Sequence, residues 1–290
     1  MRKDFILLAA LSAITLAACT KSVSAPVPDA NEILFTADYG VDYDVETKAT
    51  AVTSLSSFKA SAVTGTAGSE TAVWTNVSYS NAGDSKYVGG KYWPSTNANP
   101  YSFYASNIDL TFNAAGNTVT ANNGTDVVCA YLASPTYKDV NTLTFNHIFA
   151  RIGNMTVQAA SGYTLSGVSI KVTPKTGGTY NLRTGNGQTN GTGWSSTANG
   201  IATELTSGAE GTKANDIYLV PGTYTLTATW TATRGEYTQT FTGKNSNVSL
   251  VGGKVNNITA TLGGLAEEIK FSVSVTAWGN NGITTTFPVN

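Results

Sequence analysis

Apolar and polar residues alternate one for one along several stretches of this chain, and no stretch of useful length carries the 3.6-residue period of an amphipathic helix. From Ile33 to Glu46, "ILFTADYGVDYDVE", the residues Ile33, Phe35, Ala37, Tyr39, Val41, Tyr43 and Val45 fall on one side. Thr36, Asp38, Asp42, Asp44 and Glu46 fall on the other, and only Leu34 and Gly40 break the pattern. In "TYTLTATWTAT" the positions Tyr224, Leu226, Ala228, Trp230 and Ala232 alternate with threonines. Arg234-Gly235-Glu236 then turns the chain into "YTQTFTG", with Tyr237 and Phe241 expected on the inner face. Near the end, "IKFSVSVTAW" places Ile269, Phe271, Val273, Val275 and Ala277 on one side. A period of two means a strand with one buried face.

Shorter candidate strands fill the rest, among them Leu55–Val63, Val77–Tyr79, Ile108–Phe112, Val127–Leu132 and Val168–Val172. Turn signals recur about every 8–12 residues, which favours sandwiches over a barrel or βα units. With 290 residues the chain is long for one domain. The strand pattern restarts at Leu143–Ala159 after the polar "SPTYKDVNT", so the expected division is 32–140 and 141–290. The expected fold class is all-β, with two antiparallel β-sandwich domains in tandem.

Charged residues make up only 12% of the chain, the net charge is −1 and no basic run occurs, which argues against nucleic acid as a partner. Arg2 and Lys3 precede an apolar run from Phe5 to Ala18, which is too short to span a bilayer and fits the core of a signal peptide over residues 1–18. The run ends in "LAAC", which resembles the lipobox of bacterial lipoproteins. That resemblance implies cleavage before Cys19, lipid on its sulfur and new amino group, and anchoring in the outer membrane. Residues 19–31 then read as a tether. Only Cys129 remains, so no internal disulfide is expected and this cysteine reads as a small core hydrophobe.

The residues for catalysis are scarce. The single histidine, His147, opens an apolar stretch and reads as structural, with no second His or Cys to complete zinc spacing. No nucleophile elbow or phosphate-binding loop occurs. We therefore expect no enzyme and no cofactor. Asp38, Asp42 and Asp44 sit at strand spacing and lack a calcium-loop pattern, which makes them a solvated strand face. Trp74, Tyr92, Trp93, Tyr101 and Tyr104 suit either a platform for sugar rings, as on a monomeric glycan-binding surface lipoprotein, or a thin sandwich core with polar atoms at its edge. The core reading is preferred.

Several segments in order carry a family resemblance: the lipobox, the alternating strand with "ETKAT" behind it, "YWPSTNANPYSFYA", "LTFNHIFARIGNMTV", "IYLVPGTYTLTATW", and "VNNITATL" leading into "IKFSVSVTAW". Together they resemble the fimbrillin-like (Mfa-like) pilins, subunits of type V pili of Gram-negative anaerobes, over nearly all of the mature chain. The resemblance implies two transthyretin-like β-sandwich domains and export as a lipoprotein. It implies cutting by a trypsin-like protease after the basic residue behind the first strand, here between Lys48 and Ala49. It further implies that the strand from Ile33 to Val45 is removed, and that a strand from the C-terminal tail of another pilin subunit fills the vacated groove. The tail 269–290 is the candidate donor, through Ile269, Phe271, Val273, Val275 and Ala277 or through the short strand Ile283–Val289 behind them. The implied place is the outer membrane as a precursor and a cell-surface fimbrium after processing.

Overall fold

The structure is a computed structural model that describes residues 31–39, 54–122, 124–175, 177–195, 200, 203–208, 217–264, 270–277 and 285–288. The first half contributes β1 (Leu34–Asp38), β2 (Ser57–Thr64), β3 (Thr71–Asn81), β4 (Lys86–Val88), β5 (Tyr101–Ser106), β6 (Thr118–Asn122), β7 (Val128–Leu132), β8 (Val140–Thr144) and β9 (Asn146–His147). The second contributes β10 (Ala150–Ala159), β11 (Thr164–Val172), β12 (Gly177–Asn181), the single helical turn α1 (Leu182–Gly185), β13 (Trp194–Ser195) and β14 (Thr203–Gly208). It continues with β15 (Ile217–Leu219), β16 (Gly222–Arg234), β17 (Tyr237–Leu250), β18 (Lys254–Leu262), β19 (Lys270–Ala277) and β20 (Thr285–Pro288). The chain is all-β, as the alternation predicts.

Eight strands form the first sheet, in the order β8-β1-β4-β3-β2-β5-β7-β9. Its two end strands, β8 and β9, are separated in sequence by Phe145 alone. The sheet therefore rolls over until its ends meet, and its two layers face each other. Between them lie Ile33, Phe35, Phe58, Tyr79, Phe103, Leu143 and Phe145, all buried. This sheet takes in residues through His147, and β10 is the first strand to pair in the second half.

The second half is a sandwich of a five-stranded sheet, β15-β10-β18-β19-β20, and a four-stranded sheet, β14-β11-β16-β17. Ile152, Met155, Ile170, Leu226, Trp230, Ile258 and Phe271 fill the space between them. Burying Trp230 leaves its indole N–H in need of an acceptor, and Nε1 donates to the Gly263 carbonyl at 2.9 Å. The two halves share one construction rule. Each opens with a strand that pairs in parallel with a later strand of its own sheet, β1 with β8 and β10 with β18.

The halves are joined by backbone as well as side chains. β6 of the first half pairs antiparallel with β12 of the second, and β13 completes this three-stranded sheet. A Cβ on Gly177 would stand 2.2 Å from the Ala121 carbonyl oxygen, so the pairing of β12 with β6 needs glycine there. A third apolar cluster fills the junction, with Val63, Tyr104, Val119 and Cys129 from one side and Phe149, Tyr180, Leu182 and Tyr218 from the other. Strands β2, β5 and β7 are thus covered on both faces. Phe103 and Ala105 point into the first core, while Tyr104 points to the junction. A sheet covered on both sides does not alternate, which is why "SFYAS" and "VVCAYL" read as continuous runs.

Two expectations fail locally. Ile108–Phe112 forms no strand and makes only the isolated bridge of Thr111 with Thr118. Side chains occupy its backbone instead: Leu110 N donates to Asn76 Oδ1 at 2.9 Å and Ile108 N to Ser106 Oγ at 3.3 Å. The hairpin of β16 and β17 forms where it is expected, with Arg234 opposite Tyr237. Tyr237, however, is 86% exposed rather than inward. It stands at the tip of the hairpin, beyond the end of the core, whereas Phe241 packs against it.

Candidate functional site

β1 is an inner strand. It runs parallel to β8, with Leu34–Asp38 opposite Val140–Thr144, and antiparallel to β4, with Phe35 opposite Tyr87 and Thr36 opposite Lys86. The ladder extends beyond the strand: Ile33 N donates to Lys91 O at 2.7 Å, Trp93 N to Asn31 O at 2.9 Å, and Phe145 N to Asp38 O at 2.6 Å. Among the described residues β8 has no other ladder partner. Without β1, β8 and β4 would each lose a ladder partner and a groove would open between them.

The side chains of β1 follow the same logic. Ile33 and Phe35 are fully buried, while Ala37 and Tyr39 are half-buried. The Phe35 ring meets Tyr79 and Phe103 edge-on, each at 4.9 Å, and Phe58 at 6.2 Å. Burial pushes the Tyr79 phenol far above its ordinary pKa, as a deeply apolar pocket must. On the outer face the Thr36 and Thr142 hydroxyls share a hydrogen bond of 2.9 Å. Gly89, just past β4, lies so close to the Tyr79 ring that a Cβ would come within 2.6 Å of it. The next residue, Gly90, donates its N–H to Glu32 Oε1 at 3.1 Å. Of the seven residues predicted to face inward, Val41, Tyr43 and Val45 lie outside the described residues.

The far end of β1 is held by a small hydroxyl network. Tyr39 Oη and Tyr87 Oη share a hydrogen bond of 3.0 Å, Leu55 N donates to Tyr39 Oη at 2.9 Å, and Tyr87 Oη donates to Leu55 O at 2.6 Å. The Tyr39 ring stacks on Phe145 at 5.7 Å. These bonds fasten the flank before residues 40–53 to the flank after them. Beside the network lies a recess of about 500 Å³ lined by Ala37, Asp38, Tyr39, Ser54, Leu55 and Tyr87. Lys48 and Ala49, and the lipid-bearing Cys19, lie outside the described residues.

The candidate donor strand fills its own molecule's core. β19 pairs with β18 along its length and with β20 on its other side. Phe271 and Val273 are each 2% exposed in the second core, and Val275 packs against it. Ile269 lies outside the described residues, and Ala277 is described only as backbone in β19. β20 is the end strand of that sheet.

Most of the aromatic residues considered for a sugar platform belong to cores. Tyr104 is fully buried, Trp93 is 6% exposed, and Trp74 and Tyr101 pack against the first cluster. Tyr92 alone among them stays exposed. His147 is buried against Asp126, with 2.9 Å between Nδ1 and Oδ1. Among the described residues no group of three His, Cys, Asp or Glu side chains is gathered for a metal ion. Asp38 belongs to the end of β1, and Asp42 and Asp44 lie outside the described residues.

Cys129 is core, as expected. Burial pushes its thiol up to about 12, despite a hydrogen bond to Ser106. The folded chain should therefore not react with a disulfide reagent at pH 8, and should react fully once unfolded in urea. Because the unfolded thiol ionises near 9.0 and the folded one only near 12, stability should decline as pH rises above about 9.

Sequence reasoning missed a buried ion pair at the junction. Arg183 of α1 bonds Glu70 of the first half, and the Tyr104 hydroxyl donates to Glu70 Oε2 at 2.9 Å. Asn181 caps α1, its Oδ1 accepting from Arg183 N at 3.0 Å and Thr184 N at 3.1 Å. The cap fixes the backbone from which Arg183 reaches across. No periodicity marks a lone glutamate in "GSETAV" as the partner of an arginine 113 positions later.

No protein-family model matches the chain, and no curated protein matches it. Solved structures do. A fimbrial protein from Bacteroides vulgatus matches with a TM-score of 0.54 at 14% identity, covering 86% of this chain and 99% of that one. A fimbrial assembly protein from Parabacteroides distasonis matches with a TM-score of 0.42 at 11% identity, covering 89% and 99%. The chain thus shares the fold of the Bacteroides fimbrial protein, in agreement with the fimbrillin-like resemblance of its sequence.

Proposed function

We propose that this chain, which has the fold of a fimbrial protein, is a structural subunit of a cell-surface fimbrium, with a part in cell adhesion, and that it polymerises by strand exchange. The observation that carries the reading is the position of β1: an inner strand with two fully buried side chains, whose loss would strip β8 of its only described ladder partner. In this proposal the precursor is exported as a lipoprotein held in the outer membrane through Cys19, and a trypsin-like protease cuts between Lys48 and Ala49. The proposed domains are residues 32–140 and 141–290, as the sequence suggests. Other pilin subunits are the partners, and no chemistry is catalysed.

The energetics explain why a cut is needed. Ile33 and Phe35 each contribute about 1.5–3 kcal/mol by burial, opposed by the cost of ordering the strand. A tethered strand also acts at an effective concentration of roughly millimolar or above, so a second molecule does not displace it. Cutting after Lys48 ends the tether. The vacated groove then offers unpaired backbone and apolar pockets, which favour the addition of a strand. The tail 269–290 is the proposed donor. Its β19–β20 pair closes one end of the second sheet, so a single ladder, with β18, has to part for it to leave.

Limited trypsin treatment of protein lacking residues 1–19 tests this. The expected result is a cut after Lys48 followed by a ladder of SDS-resistant oligomers, with Lys48→Gln remaining monomeric. A chain that is cut there and stays a monomer at high concentration would overturn the proposal.

A further inference from the structure

We infer that the free edge of β17 is a docking surface for β17 of a second copy of this chain, paired antiparallel about a two-fold axis with Thr240 opposite Thr240. The pairing does not rest on strand exchange: β17 and β1 belong to different sheets, and no cut is required.

β17 runs for 14 residues, from Tyr237 to Leu250, and ends its sheet. Among the described residues no strand pairs with its outer side. The other end strands of the second sandwich are short or blunted. β15 has three residues, β20 has four and includes Pro288, and β14 has six and includes Glu204. From Tyr237 to Gly243, β17 carries neither a charge nor a proline. Tyr237, Thr238, Gln239, Thr240 and Thr242 are all exposed. A long, uncharged free edge is a template for another strand.

The backbone selects which positions can pair. The two-residue turn Gly235-Glu236 closes on Arg234 opposite Tyr237, and such turns close on a hydrogen-bonded pair. Alternate residues beyond it therefore turn their N–H and C=O away from β16. Thr238, Thr240 and Thr242 aim these groups at the free edge. A bulge in β17 between Asn245 and Val248 ends the regular stretch.

The side chains select the register. With Thr240 opposite Thr240, Glu236 comes beside Lys244 of the other copy, and the two-fold axis makes this contact twice. Neither charge has an ion-pair partner among the described residues. Tyr237, 86% exposed, lies over Gly243 of the other copy, where the missing side chain leaves room for the ring. The stem of Gln239 covers the half-buried Phe241. Thr238 faces Thr242, which extends rows already begun inside each hairpin. There Thr233 bonds Thr238 and Thr231 bonds Thr240 at 2.9 Å, and Thr229 bonds Thr242 at 3.3 Å. Centring the pair on Phe241 instead sets Lys244 against Thr238 and Glu236 against Ser246, so both charges lose their partners.

An edge of this length buries less than the roughly 1,200–2,000 Å² of a stable interface. The pairing is therefore weak between single chains and adds up only where many chains are held in a row.

The experiment uses uncut protein lacking residues 1–19 and carrying Lys48→Gln. Sedimentation equilibrium at roughly 0.1–1 mM chain should show a dimer, and this dimer should dissociate in SDS, unlike a strand-exchanged ladder. Thr240→Pro removes an N–H that faces the free edge and breaks no bond to β16, so it should abolish the dimer with little change in melting temperature. Glu236→Lys or Lys244→Glu alone should weaken the dimer roughly threefold or more, and the two together should restore it. Directly opposed residues lie about 5.5 Å apart, within disulfide reach. Under copper-phenanthroline oxidation, Thr240→Cys should therefore link to itself, and Thr238→Cys should link only when mixed with Thr242→Cys. The buried Cys129 does not compete. A chain that stays monomeric at 1 mM (roughly the weak limit for such an edge) would overturn the proposal. So would a dimer that survives Thr240→Pro, or Thr240→Cys linking better to Thr242→Cys than to itself. None of these outcomes bears on the oligomers expected after a cut at Lys48.

Discussion

Replacing Glu70 by glutamine should cost the folded chain about 3–5 kcal/mol, the range for breaking a buried ion pair from one side. The Glu70 side chain is 2% exposed and that of Arg183 is 15% exposed. Burial already disfavours the charged guanidinium and lowers its pKa. Arg183 also lies over the rings of Tyr104 and Tyr131, at 5.8 and 5.5 Å, and its Nη2 donates to Tyr104 Oη at 2.6 Å. Glutamine keeps the shape and an acceptor for Tyr104, but it leaves the arginine charge without a counter-charge. At roughly 2–4 °C per kcal/mol for a chain of this size, the melting temperature should fall by roughly 6–20 °C. The pair spans the two halves, so its loss should also loosen their junction.

A second variant separates the worth of the pair from the penalty of orphaning one member. With Glu70→Leu and Arg183→Met together, most of the loss should be recovered, because apolar side chains of similar volume often replace a buried pair at little cost. The two single variants and the double form a cycle that reads the coupling directly in urea or thermal unfolding. A loss below about 1 kcal/mol for Glu70→Gln would mean that water reaches the pair in solution.

Phe35→Ala is the other large effect, with an expected loss of about 3–5 kcal/mol. The ring is fully buried and touches three others, so truncation leaves a cavity that the rolled sheet cannot collapse around cheaply. Leu34→Ala, on the half-buried outer side of the same strand, should cost under about 1.5 kcal/mol. The midpoint of urea unfolding compares the two. Under the strand-exchange proposal, Phe35→Ala should also form some oligomer without any cut, because the resident strand then holds its groove less tightly. Equal midpoints for the two variants would show that β1 is not packed as described.

Much of this fold is legible as alternation. Ile33 and Phe35, Leu226 and Trp230, and Phe271 and Val273 all lie inward as a period of two requires. The hairpin of β16 and β17 turns where Arg234-Gly235-Glu236 says it should. Where alternation was absent, the sequence was harder to read. Tyr104 and Cys129 sit in runs without a period because the second half covers the outer face of β5 and β7. Ile108–Phe112 looks like a strand, yet the amide of Asn76 takes the backbone donor that a neighbouring strand would have used.

By itself the sequence determined that the chain is built of strands, which face of most of them is buried, and that the first and the late strand carry nearly the same side-chain pattern. Only the tertiary structure decided what lies against those faces. It set β1 inside its sheet between β8 and β4, gave β19 to its own molecule's second core, and brought Glu70 to Arg183. The reason is physical: a period of two records that one side of a strand leaves water, which is a local property of the chain. The partner that removes the water is chosen by contacts between residues far apart in sequence, and no local pattern encodes it.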